Sequence, residues 1–202
     1  MNREVQAGRV AVEYELVVIG ASWGGLVALE TILRGLPEDF SLPIAVVLHR
    51  GVLSTERLAA TLRRHTRLAV RETQDKEPIL PGHLYLAPPD YHLMVERGAF
   101  ALSTEAPVRY ARPSIDVLFE SAADSYAERV IGVVLTGSNE DGSAGIAHIK
   151  ARGGFVIVQS PESAASPVMP TAAIAATCVD WILPLSEIGP RLATLIGTPY
   201  AA

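Results

Sequence analysis

Three residue types that together make a nucleophilic hydrolase each follow an apolar run in this chain. Ser22 stands in "GASWGG", His49 in "LHR" and Asp141 in "SNEDG". A histidine can take the proton of a serine hydroxyl as it attacks a carbonyl. A carboxylate then fixes the imidazole tautomer and stabilises its charged form. The glycines around Ser22 clear side chains from the approach to a nucleophile and permit the dihedrals of a tight strand-to-helix junction. A helix starting near Gly24 would bring free N–H groups and the positive end of its dipole. The Trp23 N–H and the backbone near Ser138 are the candidate donors to an oxyanion.

Other chemistry fits parts of the same pattern. Gly-rich turns after strands bind dinucleotides, but in "GASWGG" Ser22 stands where the second glycine of GxGxxG would be. The second apolar run ends in His49, where a ribose-binding acid would be expected. A lone histidine after a strand is also an ordinary loop residue, and "DG" an ordinary turn. A triad, a nucleotide-binding turn and a non-catalytic fold therefore stay open on these residues alone. Arg112, just before a helical segment, could meet a substrate carboxylate or form a structural salt bridge. His65, His83, His92 and His148 show no metal-ligand spacing.

These candidates need elements to position them. "ELVVIG" (15–20), "PIAVVLH" (43–49), "LAVRET" (68–73), "RVIGVVLTG" (129–137), "FVIVQS" (155–160) and "CVDWILP" (178–184) read as strands. Between them lie helical segments. One follows Gly24, with Leu26, Leu29, Ile32 and Leu33 at helical spacing, and ends by Gly35 and Pro37. A second spans 54–65 with Ser54 as its N-cap. Others cover 112–127, 143–154 and 186–196. The middle of the chain, 83–89, 92–98 and 99–104, reads as short antiparallel strands with a turn at "ERGA". Continuous apolar strands joined by helices predict an α/β fold: a doubly wound, mostly parallel sheet with helices on both faces and a small antiparallel insert. In such sheets functional groups gather at the carboxyl ends of strands, where all three candidates fall. The strand order that would bring them together is not fixed by these patterns.

The 202 residues suit one domain, residues 15–202, after a short N-terminal tail, 1–14. A net charge of -5 argues against a nucleic-acid partner. The single cysteine, Cys178, reads as a core residue and suggests a reducing, cytoplasmic setting. The first residues lack the apolar core of a signal peptide, and no stretch approaches the roughly 20 apolar residues of a membrane span.

Taken together, "IGASWGG", "LHR", "PGHLYLAPPDYHL", "RPSIDVLF", "VIGVVLTGSNEDGSAG" and "VQSPESAASPVMP" resemble, in order, the catalytic domain of CheB-type protein-glutamate methylesterases. The resemblance runs from about residue 15 to about residue 185 by inspection. It implies hydrolysis of glutamate γ-methyl esters on the cytoplasmic helices of chemoreceptors, often with deamidation of glutamines. It assigns the nucleophile to Ser22, the base to His49 and the orienting carboxylate to Asp141, and implies no metal or cofactor. Two departures bear on the oxyanion side: Trp23 stands where threonine is common, and Ser138 and Asn139 replace Met and Gly. These changes also motivate a rival, a catalytically impaired scaffold of the same fold. Many family members carry an N-terminal receiver domain. Here the first strand starts near residue 15, so the expectation is constitutive activity or control by a separate regulatory protein.

Overall fold

The computed structural model describes residues 13–49 and 55–196. Its elements in chain order are β1 (Leu16–Ala21), α1 (Gly25–Gly35), β2 (Ile44–Leu48), α2 (Thr55–Leu62), β3 (Ala69–Glu72), β4 (His83–Leu86), β5 (His92–Glu96), β6 (Ala99–Ser103), α3 (Ile115–Tyr126), β7 (Val130–Val134), α4 (Ser143–Ala151), β8 (Phe155–Gln159), α5 (Val168–Ala176), β9 (Trp181–Leu183) and α6 (Leu185–Thr194). The expected N-cap Ser54, like Arg50 of "LHR", lies outside the described residues.

Every residue of β1, β2, β7 and β8 is buried, as strands covered on both faces must be. Seven strands pair in parallel in the order β3-β4-β2-β1-β7-β8-β9, which places β1 at the centre. Alternate side chains of β1 serve opposite cores. Val17 and Ile19 pack with Leu29, Ile32 and Leu33 of α1, Leu58 and Leu62 of α2, and Ile188 and Leu192 of α6. Leu16 and Val18 pack with α3, α4 and α5 and with Leu93, Val95 and Phe100 of the hairpin. Full burial of each such Leu, Ile or Phe contributes about 1.5–3 kcal/mol.

Three expectations need correction. Residues 83–86 are not antiparallel: β4 inserts in parallel between β3 and β2, and only β5 and β6 form the antiparallel ribbon. The reason is burial. Leu84, Tyr85 and Leu86 are all enclosed, which suits an interior parallel strand and not a half-solvated hairpin. Cys178 is exposed, because β9 starts only at Trp181 and is an edge strand with partly exposed residues. Leu26 points to solvent rather than joining the buried stripe of α1.

Candidate active site

β2, β1 and β7 are neighbours, so the segments leaving their carboxyl ends share one rim. β1 is also where the winding reverses, β2 lying on one side and β7 on the other, the crevice in which open parallel sheets bind ligands. Ser22 follows β1 directly, and its N–H donates to the Thr136 carbonyl at 2.9 Å. His49 follows β2, its N–H donating to the Ala21 carbonyl at 2.9 Å. Asp141 stands in the loop between β7 and α4.

The local sequence shapes this rim. Gly24 has φ +79°, the left-handed region, and a Cβ there would come within 2.6 Å of the Ala165 side chain. Glycine therefore lets the chain turn from Ser22 into α1. Gly20 faces the start of α3, where a Cβ would lie 2.3 Å from Cγ2 of Ile115.

That close approach brings the first turn of α3 onto Asp141. Asp141 Oδ1 accepts from Ser114 Oγ at 2.9 Å and from the Asp116 N–H at 3.1 Å, and Oδ2 accepts from the Ile115 N–H at 2.7 Å. These donors sit at the positive end of the α3 dipole. Ser114 is itself the N-cap of that helix, and His92, buried, accepts the Ser114 N–H through Nδ1 at 3.2 Å. On its outward side, Asp141 Oδ2 lies 2.9 Å from Nε2 of His49. The carboxylate side chain is wholly buried, and the imidazole is 13% exposed. The separation is that of a charge-assisted hydrogen bond, yet the ring N–H is bent off the line to the oxygen. The electrostatic attraction rests on closeness rather than alignment. Burial alone would raise the Asp141 carboxyl. The neighbouring His49 and the Ile115 and Asp116 N–H groups outweigh it and hold the carboxyl below its ordinary range. Asp116 goes the other way, raised by burial and by the adjacent Asp141 charge.

The other ring nitrogen of His49, Nδ1, lies 3.3 Å from Nδ2 of Asn139. Asn139 Oδ1 accepts the Asp141 N–H at 3.2 Å, which orients the amide with its NH2 toward the ring. Nδ1 is thus the lone-pair nitrogen, the one that would take a serine proton in place of the Asn139 contact. Ser22, His49, Asn139, Arg112 and Tyr110 line one cavity of about 420 Å³.

The remaining candidates are placed less centrally. Trp23 and Ser138 lie outside the residues lining that cavity, and both are exposed. Their N–H groups donate to no acceptor among the described residues. Arg112 lines the cavity, but its Nη1 donates to the Thr104 and Glu105 carbonyls, at 2.9 and 3.0 Å. It pairs with no carboxylate among the described residues. No group of three or more His, Cys, Asp or Glu residues among them could hold a metal ion. Sequence reasoning missed Ser114, His92 and the Arg109–Tyr110 turn. Only Ser114 carried a signal, a serine just before the apolar run of α3.

The CheB methylesterase family model matches residues 17–192. A Leptospira interrogans protein, provisionally named a protein-glutamate methylesterase/protein-glutamine glutaminase, is 44% identical over 87% of this chain and 91% of its own length. A protein-glutamate methylesterase/protein-glutamine glutaminase of Anaeromyxobacter dehalogenans is 43% identical over 93% of this chain but only 54% of its own length. Among solved structures, the Thermotoga maritima CheB methylesterase catalytic domain superposes with a TM-score of 0.86 at 35% identity, covering 92% of this chain and all of that one.

Proposed function

The chain belongs to the CheB methylesterase family, and on that premise we propose that Ser22, His49 and Asp141 hydrolyse glutamate γ-methyl esters of chemoreceptor-like proteins. Ser22 Oγ attacks the ester carbonyl while Nδ1 of His49 takes its proton. Asp141 stabilises the imidazolium from the Nε2 side. In this reading the N–H groups of Trp23, next to the nucleophile, and of Ser138 are the donors to the tetrahedral oxyanion. Methanol leaves with the proton returned by His49. Water, deprotonated by the same nitrogen, then releases the glutamate and restores the serine. A glutamine side chain enters the same cycle with ammonia as the leaving group, which is the glutaminase reaction.

One observation carries this reading most: the 2.9 Å approach of His49 Nε2 to a buried carboxylate, at the cavity that Ser22 also lines. The substrate partner in this reading is a methylated receptor reached from the cytoplasm. No helix among the described residues is long and apolar enough to cross a membrane.

The test is methanol release from the methylated cytoplasmic fragment of a chemoreceptor. Wild type should release methanol, and Ser22→Ala should lose activity by a factor on the order of 10³ or more. Equal release by the two proteins would sink the assignment of the nucleophile. No release by wild type would favour a scaffold.

A further inference from the structure

The loop carrying Arg109 and Tyr110 is built against its own backbone preferences. Val108 and Ala111 exchange both backbone hydrogen bonds, at 3.1 and 2.8 Å, so Arg109 and Tyr110 are the two central residues of a tight hairpin turn. Both have positive φ, +46° and +64°. This is the type I′ pattern, which strongly favours Asn-Gly and disfavours residues with long or bulky side chains. Nothing inside the protein rewards Tyr110 for standing there: its side chain is fully exposed.

What lies beneath the turn suggests its use. Tyr110 lines the cavity shared by Ser22 and His49. Arg109 tethers the turn at two points. Its Nε lies 3.3 Å from Oδ2 of Asp116 on α3, and its Nη1 lies 3.4 Å from Oε2 of Glu140, one residue before Asp141. A second aromatic ring, Trp23, follows the nucleophile and is 70% exposed. Leu26 and Val27, in the first turn of α1, continue that apolar strip in solvent. Aromatic rings left in solvent around a reactive pocket are the usual anchors of a protein partner. Strained backbone at such a place is retained for function.

We propose that the Arg109–Tyr110 turn is a specificity element that presents the Tyr110 ring to apolar side chains of the polypeptide flanking the esterified glutamate, with Trp23 as a second ring beside the nucleophile. The proposal rests on the methylesterase reading and adds to it how the cleft tells a protein ester from a small one. A small ester has no flanking chain to lay across either ring. A protein segment crosses them.

The experiment compares kcat/KM for methanol release from a methylated receptor fragment with kcat/KM for hydrolysis of p-nitrophenyl acetate. Tyr110→Ala should lower the ratio of protein to small ester about tenfold or more, mainly through KM, as expected for a lost aromatic anchor. Tyr110→Phe should keep the ratio near wild type. Tyr110→Gly removes the ring and supplies the residue the turn prefers. It should lower the ratio as the alanine does while raising the melting temperature by about 2–4 °C. A Tyr110→Gly protein that is stabilised and keeps the wild-type ratio would overturn the proposal, as would a Tyr110→Ala protein whose two activities fall together. Wild type inactive on both esters, like Ser22→Ala, would instead remove the methylesterase reading on which the proposal stands.

Discussion

Three hydrogen-bond donors and the His49 ring converge on Asp141, and this crowding separates what its removal would do from what removal of Ser22 would do. Asn at 141 would keep the shape but turn an amide NH2 either toward groups that already donate, Ser114 Oγ and the Ile115 and Asp116 N–H groups, or toward the nearby Nε2 of His49. Asp141→Asn should therefore lose activity by a factor on the order of 10³–10⁴ and stability by about 1–3 kcal/mol, read by urea unfolding. Ser22 Oγ makes no hydrogen bond within the described residues. Ser22→Ala should abolish activity with stability within about 0.5 kcal/mol of wild type. Asn139 offers a contrary effect. Its amide occupies the His49 lone pair that the serine proton needs. Asn139→Gly, removing one competing hydrogen bond worth about 1 kcal/mol, should raise kcat/KM about fivefold. The three rim residues were legible because each type is chemically distinctive and each follows an apolar run. The contact of Asn139 with His49 was not legible, since it joins residues ninety positions apart through side-chain rotamers no local pattern encodes.

At the scale of elements, the start of α3 does the positioning. Ile115 wedges between the end of β1 and the loop after β7, where a Cβ on Gly20 or on Gly142 would come within 2.3 or 2.7 Å of its Cγ2. The same turn supplies Ser114 as N-cap and clamp. Ser114→Ala should cost about 1 kcal/mol of stability. It should also lower kcat rather than raise KM, because it loosens the carboxylate and leaves the substrate surface alone. Gly20→Ala should be worse on both counts, with about 1–3 kcal/mol lost to overpacking and the α3 N-terminus pushed off Asp141. Thermal unfolding and steady-state kinetics on the two variants check both statements. The helix itself was readable from Ile115, Leu118, Phe119 and Ala122 at helical spacing. What its first turn grips was not, because that contact depends on the sheet order. The same blindness explains β4. A short apolar run reads alike as a hairpin strand or a buried parallel one, and only its neighbours Ile44 to Val46 and Ala69 to Glu72 decide.

At the scale of the whole molecule, Asp141 and Asp116 set an acid response of opposite signs. The folded state holds Asp141 below its ordinary range, so the native protein binds fewer protons there than the unfolded chain. That stabilisation is complete above the unfolded value of about 4 and disappears as pH falls through the lower folded value. Asp116, raised in the fold, contributes stability only at low pH and loses it as pH rises through its folded value. Asp141→Asn should therefore flatten the loss of stability as pH falls below about 4, measured as unfolding free energy against pH. An acid limb as steep as that of wild type would contradict the clamp around Asp141. The class of fold was plain from the alternation of apolar runs and helices, but the position of β1 was not. With three strands on either side of it, disturbance spreading inward from β3 or β9 must unzip most of the ladder before it reaches Ser22. Amides of β1 should exchange with deuterated solvent only through global opening, while those of the two borders exchange through local fraying. Ageing, heat or proteolytic nicking at the periphery would then leave turnover intact until the whole domain gives way at once.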